Sequence, residues 1–326
     1  MKTRVLAAAI VLTVVLVSAG SVWAAGEREA AAYPTKAVSV VVPWAAGGGT
    51  DRVARFWADE FQKELGRPFV VVNRTGGGGA VGHSAGAQAA PDGYTITMVT
   101  FELGTMHHMG LTDVSYADYD YIVQMNEDPA GVIVRRDAPW QTLDDLLDDI
   151  RSNPGQRTFS GTAVGGVWDL ARIGMLLEAG IDPATTTWAP SQGAAPAIVE
   201  LLGGHVDVIT CSLPEAQSQL ESGDLRALAI MADQRHATFT DVPTLKEQGI
   251  DWSVGAWRAF ALPKGTPPDV RRVLMDAGMR IADSTGFRDF MQRNGFGIQI
   301  RSGDDFATYI AEQDATWGVI IKEVGY

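Results

Sequence analysis

Cysteine is nearly absent: of 326 residues only Cys211 carries a thiol. One cysteine excludes an internal disulfide. It also lies far from the N-terminal processing site, which excludes a lipoprotein anchor, so a buried small hydrophobe is its expected role. Positive charge is scarce too, with 26 Lys and Arg against 39 Asp and Glu and a net charge of −13. Bulk electrostatics of that sign exclude a nucleic-acid partner. They do not exclude an anionic ligand, because local donors decide affinity and net charge acts mainly on encounter. Long apolar runs are missing beyond the N-terminus. Val5 to Val17 is almost wholly apolar, but it is shorter than the ~20 residues a membrane span needs. Lys2 and Arg4 precede it and Val22-Trp23-Ala24 follows it. That is the pattern of a signal peptide, Met1 to Ala24, with Ala25 as the alternative end. Its removal takes Lys2 and Arg4, so −13 becomes −15 in the mature chain. The mature protein is expected to be soluble and exported to the periplasm. Glu27 to Ala32 reads as a flexible leader.

What is present is organised around Val38 to Asp51. Val38 to Val42 is a short β-branched run, the pattern of a strand covered on both faces. Gly47, Gly48 and Gly49 then strip the turn of side chains, and Thr50 and Asp51 cap a following helix. A bare backbone at a helix start points N–H donors at one spot, with the positive end of the helix dipole behind them, and suits an anion. A ligand-free strand-to-helix turn would have the same sequence.

The rest alternates strands and helices, which favours an α/β fold with parallel sheets. About 300 mature residues suggest two domains. The first helix is expected from Asp51 to Leu65, with Val53, Phe56, Trp57, Phe61 and Leu65 as a core stripe and Gly66 as its stop. Strands follow at Phe69 to Val72 and Tyr94 to Thr100, with a small-residue helix from Ala80 to Ala89 between them. Thr142 caps a helix carrying Leu143, Leu146, Leu147 and Ile150. Thr158 to Gly166 repeats the strand-and-glycine-loop pattern before a helix from Trp168 to Ala179. Strands are expected at Val206 to Thr210 and Arg226 to Met231. Long helices are expected at Asp269 to Asp283 and Asp304 to Ile321. In the last, Phe306, Tyr309, Ile310, Trp317 and Ile320 form a packing stripe rather than a cofactor site.

The order of several motifs is specific. Tyr33-Pro34, the segment from Val42 to Asp51, Leu65-Gly66-Arg67-Pro68, Val72-Asn73-Arg74, the glycines from Gly76 and Pro91-Asp92-Gly93-Tyr94-Thr95 come in sequence. Gln192 to Pro196, Leu202 to Asp207, Gly223 to Ala229, Asp241 to Leu245, Trp257 to Phe260 and Pro263 to Pro267 follow. Together they resemble the periplasmic solute-binding component of tripartite tricarboxylate transporters, the TctC or Bug (Bordetella uptake gene) family. The resemblance covers essentially all of the mature chain. It implies a two-lobed periplasmic binding protein of type II, flytrap-like, with an interdomain ligand cleft. Lobe one is expected from residues 33–128 plus 259–326 and lobe two from 129–258, with crossovers between Tyr119 and Arg136 and near Gly255 to Leu262. The expected partners are a small carboxylate and the membrane components of the transporter. The protein is expected to be a monomer without a cofactor or metal and not an enzyme.

The resemblance also assigns a site. The first ligand loop matches Trp44 to Asp51, including Ala45, with backbone donors at Gly48, Gly49 and Thr50 and with Asp51 ordering the loop. The second loop grips the carboxylate from the opposite lobe. There Ser160 and Thr162 offer hydroxyls, and Gly161 and Gly165 let the backbone come close. Gln192 and Gly193 open the next helix and add a donor. The loop after the third strand faces the cleft. Phe101, Glu102 and His107-His108 depart there from the small or amide residues of many relatives. They leave room for a ligand with an apolar or cationic part: Glu102 suits an amine, and Phe101 or Trp44 a ring.

Three motifs compete. Gly82-His83-Ser84-Ala85-Gly86 fits a nucleophile elbow, the basis of an exported serine hydrolase using Ser84. An elbow needs a strand running into it, whereas glycines fill positions 76–79 and no HGGG-type oxyanion motif occurs. Ser84 is therefore expected on a helix beside the cleft. Gly77-x-Gly79-x-x-Gly82 fits the dinucleotide fingerprint, but Asn73, Arg74 and Thr75 separate strand from glycines where the fingerprint wants an immediate turn. Met106-His107-His108-Met109 carries copper-binding side chains. Adjacent residues point different ways, which counts against one shared metal, and the copper-binding reading stays as the second alternative.

Overall fold

The structure is a computed structural model that describes residues 33–325. Met1 to Ala24, read above as the signal peptide, lie outside the described residues. The chain divides after Thr35, and every element named here belongs to the body, Lys36–Tyr326. In chain order these are β1 (Val38–Val42), α1 (Gly49–Leu65), β2 (Phe69–Asn73), α2 (Ala80–Ala87), β3 (Thr95–Thr100) and β4 (Tyr119–Arg135). Then come α3 (Leu143–Ser152), β5 (Arg157–Ser160), α4 (Val167–Glu178), β6 (Thr186–Ala189), α5 (Ala194–Leu202) and β7 (Val208–Ser212). The remainder is α6 (Gln217–Ser222), β8 (Leu225–Ile230), β9 (Gly255–Pro263), α7 (Pro268–Ala282), α8 (Thr285–Arg293), β10 (Arg301–Ser302) and α9 (Gly303–Val324).

The strands run in the order β2-β1-β3-β9-β4-β7-β5-β6, with β8 and β10 also on β4. The outer strands are parallel: β1 with β2 and β3, and β5 with β6 and β7. The centre is antiparallel, because β9 opposes β3 and β4, and β4 opposes β7 and β8. The expectation of parallel sheets is thus corrected in the middle. The strand that leaves one flank and the strand that returns to it must run in opposite senses. β4 is the outgoing one. Tyr119 to Pro129 pair with β9, and from Ala130 the strand pairs with β7. The segments expected to carry the crossovers, Tyr119 to Arg136 and Gly255 to Leu262, contain β4 and coincide with most of β9.

Local chemistry explains most elements. β1 is buried at four of its five positions, with only Ser39 half-buried, as a β-branched strand between covered faces should be. In α1, Val53, Trp57 and Phe61 are buried. Phe56 is half-buried and stacks on Phe290 of α8 with centroids 4.3 Å apart. Gly66 closes α1 in the left-handed region at φ 69° and returns its N–H to Gln62 O, where a side chain would be strained. Thr142 and Asp145 form a reciprocal capping box at α3, and Leu143, Leu146, Leu147 and Ile150 are all buried beneath it. Cys211 is buried on β7, and burial pushes its thiol well above the usual range.

Candidate functional site

Two loops build the site. Gly47 to Gly49 lead from β1 into α1, and Gly165 to Val167 lead from β5 into α4. The loops repeat each other atom for atom at the key contacts. The Gly47 N–H donates to Asp51 Oδ2 at 2.9 Å, and the Gly165 N–H donates to Asp169 Oδ2 at 3.0 Å. Gly48 caps α1 at φ −72°, ψ 171°, and Gly166 caps α4 at φ −71°, ψ 168°. Burial works against ionised Asp51, yet bonds from Arg55, the Gly47 N–H and Asn73 hold its carboxyl below the usual range. Asp169 is paired with Arg172 at 2.7 Å. These aspartates order the loops. Neither lines the cavity between them.

The first N–H of each helix is already occupied. Gly49 N–H donates to Glu215 Oε1 at 3.0 Å, and Val167 N–H donates to Glu102 Oε1 at 3.2 Å. Glu215 follows β7, in the flank that carries α4, while Glu102 follows β3, in the flank that carries α1. Each flank therefore caps the other's helix with a carboxylate. This is the anion position foreseen at α1, held here by a side chain of the protein. Burial pushes the Glu215 carboxyl upward, against the pull of Arg258 and the Gly49 N–H, and it stays above the usual range. Burial does the same to Glu102, against hydrogen bonds from Thr100 and Val167.

Arg258 on β9 joins the parts. Its Nε donates to Thr50 Oγ1 at 3.1 Å, its Nη1 donates to Asp128 Oδ2 at 2.7 Å and to Asn126 Oδ1, and its Nη2 stands 3.5 Å from Glu215 Oε1. The side chain is only 2 % exposed. Trp44, Trp168 and Trp257 line the cavity with Thr50, Thr100, Thr162 and the backbone of Ala45, Gly48, Gly49 and Gly193. Trp44 Nε1 donates to Thr100 Oγ1 at 3.1 Å, and that hydroxyl donates on to Glu102 Oε2 at 2.7 Å. The Thr162 hydroxyl is buried and has no hydrogen-bond partner. A small space with a buried guanidinium, two helix starts and an unused hydroxyl can hold an anionic group away from water.

Of the residues expected here, Trp44, Ala45, Gly48, Gly49, Thr50, Glu102, Thr162 and Gly193 meet at this cavity. Six do not line it. Besides Asp51, Ser160 donates to Ala189 O at 2.7 Å. Gly161 packs under β7, where a Cβ would stand 2.4 Å from Thr210 O. Gly165 holds the second loop through its N–H. Gln192 O accepts from Ala45 N at 3.1 Å, a backbone clasp between the flanks. Phe101 is buried against Trp317 of α9, with centroids 4.8 Å apart. Glu215, Arg258, Trp168 and Trp257 were not foreseen as site residues. An arginine and a tryptophan inside the apolar strand Ala256 to Leu262 were the available signal, because a buried charge needs a partner.

The competing motifs are placed as well. Ser84 lies on α2, and its hydroxyl meets Thr112 Oγ1 at 2.9 Å. Its neighbour His83 is buried, with Nδ1–H donating to Gly79 O at 2.8 Å and Nε2 accepting from Thr100 N at 3.2 Å. His107 and His108 converge on Asp314 of α9, with Nε2 at 3.0 and 3.4 Å from its carboxylate oxygens. Their adjacency was expected to keep them apart, yet α9 supplies a carboxylate that both rings reach.

The chain matches the model of the "tripartite tricarboxylate transporter family receptor", TctC, over residues 53–326. It is 30% identical to Protein BugT of Bordetella pertussis over 90% of each chain. A ligand-free TctC solute-binding protein from Polaromonas is 36% identical, with a TM-score of 0.65, over 89% of this chain and 99% of that one. MatC from Rhodopseudomonas palustris, solved with bound malate, is 27% identical, with a TM-score of 0.82, over 89% of this chain and all (100%) of that one. The fold is that of a two-lobed periplasmic binding protein, and neither the hydrolase nor the copper-binding alternative gains support from these matches. Paired glycine loops across a buried cavity and a match along most of the chain lead to one assignment: the protein belongs to the tripartite tricarboxylate transporter receptor family, TctC.

Proposed function

We propose that this protein is an extracytoplasmic receptor that captures a small carboxylate between two lobes and delivers it to the membrane components of a tripartite tricarboxylate transporter. It catalyses no reaction. It works as a monomer in the periplasm, after loss of Met1 to Ala24. Lobe one comprises residues 33–128 plus 259–326 and lobe two 129–258, with β4 and β9 as the hinge strands. The observation that carries the reading is the pair of matched helix starts, α1 and α4, facing one cavity with Arg258 and the unpartnered Thr162 hydroxyl. Thr50 and Thr162 grip the ligand's carboxylate from opposite lobes. The closer likeness to malate-bound MatC than to the more identical ligand-free protein supports a closed, ligand-ready form. Among the described residues no helix is long and apolar enough to cross a membrane, which fits a receptor that meets its transporter from outside.

The test is a thermal-shift screen of protein unfolded and refolded to strip bound solute. The panel holds di- and tricarboxylates, acidic amino acids, aromatic acids and Cu(II). A ligand at 100 times its Kd stabilises by about 2.7 kcal/mol. Silence from every carboxylate, with a shift from copper alone, overturns the proposal. With the best probe in hand, Thr162→Val is expected to weaken binding by about 1–2 kcal/mol, the scale of one lost hydrogen bond. Its ligand-free stability should not fall, since the hydroxyl it removes has no partner.

A further inference from the structure

Glu102 is the carboxylate that an anion receptor does not need. It is 3% exposed and lines the cavity. The other deeply buried carboxylates each have a cation: Asp128 and Glu215 face Arg258 at 2.7 and 3.5 Å, Asp169 faces Arg172 at 2.7 Å, and Asp51 faces Arg55 at 2.9 Å. Among the described residues, no Lys, Arg or His nitrogen lies within 4.0 Å of Glu102. Its carboxylate accepts from the Thr100 hydroxyl at 2.7 Å and the Val167 N–H at 3.2 Å, both neutral donors. The Arg258 charge favours the ionised form without touching it, and a buried carboxylate with no contacting counter-ion is costly unless something supplies one. A plain dicarboxylate would make matters worse by adding negative charge beside it. Trp44 and Trp168 line the same cavity, and indole rings attract cations. The cavity also holds Thr162, 4% exposed, with an Oγ1 that has no partner. These are places for polar ligand atoms that the protein leaves open.

We propose that the ligand is zwitterionic: a small carboxylate that also bears a protonated or quaternary nitrogen, with Glu102 as the counter-ion of that nitrogen. The ligand's carboxylate turns the other way, towards Arg258 Nη2 and the start of α1. This rests on the receptor reading above and narrows it. Glu215 already fills the Gly49 donor, so the ligand's carboxylate meets the guanidinium instead.

The experiment compares isosteric pairs on stripped protein by calorimetric titration near pH 7. The pairs are glycine betaine with 3,3-dimethylbutanoate, L-aspartate with 2-methylsuccinate, and 4-aminobutanoate with pentanoate. In at least one pair the nitrogen-bearing member is expected to bind at least about tenfold tighter, the scale of a buried charge pair. Glu102→Gln should erase that preference. The amide oxygen still accepts from the Val167 N–H, so the variant should match the parent in circular dichroism and melting. Equal or tighter binding of the nitrogen-free members overturns the zwitterion and leaves the receptor standing. So does binding by other carboxylates while every pair stays silent. A preference that survives in a folded Glu102→Gln removes Glu102 from the role and overturns the proposal. Silence from these pairs and from the whole carboxylate panel overturns both. If the variant does not fold, the parent's isosteric comparison alone still decides the ligand class.

Discussion

Arg258→Met removes the centre of the buried network at the cleft. The guanidinium now serves Thr50, Asn126, Asp128 and Glu215 at once. Methionine fills much of the same volume without any donor. Asp128, with no measurable exposure, keeps only the Gly297 N–H at 2.7 Å. Glu215 keeps the Gly49 N–H at 3.0 Å and the Ser212 hydroxyl at 3.1 Å but loses its cation. Breaking a buried pair by removing one partner costs roughly 3–5 kcal/mol, because the remaining charge is stranded. At about 2–4 °C per kcal/mol for chains approaching this length, melting should fall by roughly 6–20 °C. Arg258→Lys should fall between the two, since one ammonium cannot reach from Thr50 to Asp128 as a planar fork does. Adding Asp128→Asn to Arg258→Met should recover more than about 1 kcal/mol, the coupling expected of a contacting pair. Differential scanning calorimetry of ligand-free protein measures all four chains. A Met variant within about 0.5 kcal/mol of the parent, as for an ordinary surface change, would refute the claim that this network holds the cleft.

Two further outcomes are expected. A Cβ on Gly49 would stand 2.7 Å from both Arg258 Nη2 and Glu215 Oε1, so Gly49→Ala should push Glu215 off α1 and cost at least about tenfold in affinity for the best probe, the scale of one charge-assisted hydrogen bond; affinity within twofold by calorimetric titration would count against it, on the same scale. Acid should act through His83, whose imidazole burial lowers from 6.5 to about 4. The unfolded chain binds that proton first, so this stability is present above pH 6.5 and is lost as pH falls towards about 4, a contribution of about 3 kcal/mol. An imidazole NMR resonance of His83 that titrates near 6.5 would refute it.

The parts of the site that were legible are local ones. Val38 to Asp51 carries a strand, a turn and a helix start in contiguous residues, and short-range chemistry fixes all three. The second loop was legible for the same reason, and its Gly165–Asp169 contact copies Gly47–Asp51 at the same spacing. Partners across the cleft were not legible. Glu215 meets Gly49 across 166 positions, and Arg258 meets Thr50 across 208. No periodicity marks such pairs. The resemblance places the whole loop after β3, Phe101 included, at the cleft, but the turn there sends neighbours opposite ways: the Phe101 ring packs on α9 and the Glu102 carboxylate reaches α4. Short elements escaped as well. β6 spans four residues and β10 two, too few for a pattern to declare itself.

The crossed glutamates also bear on how closure is controlled. Glu102 reaches from the β3 flank to α4, and Glu215 reaches from the β7 flank to α1, so neither contact survives if the flanks separate. Each joins a carboxylate to the positive end of a helix, a charge-assisted bond of the stronger kind. These bonds offset part of the burial cost of each carboxylate. That balance has a direction. Because burial holds both carboxyls above the usual range, ionising them works against the closed form, and this cost grows as pH rises through their folded-state values. A positive charge in the cavity removes part of that cost, whereas a second negative charge adds to it. On the proposed receptor reading, the charge of the ligand therefore bears on the closing step as well as on binding.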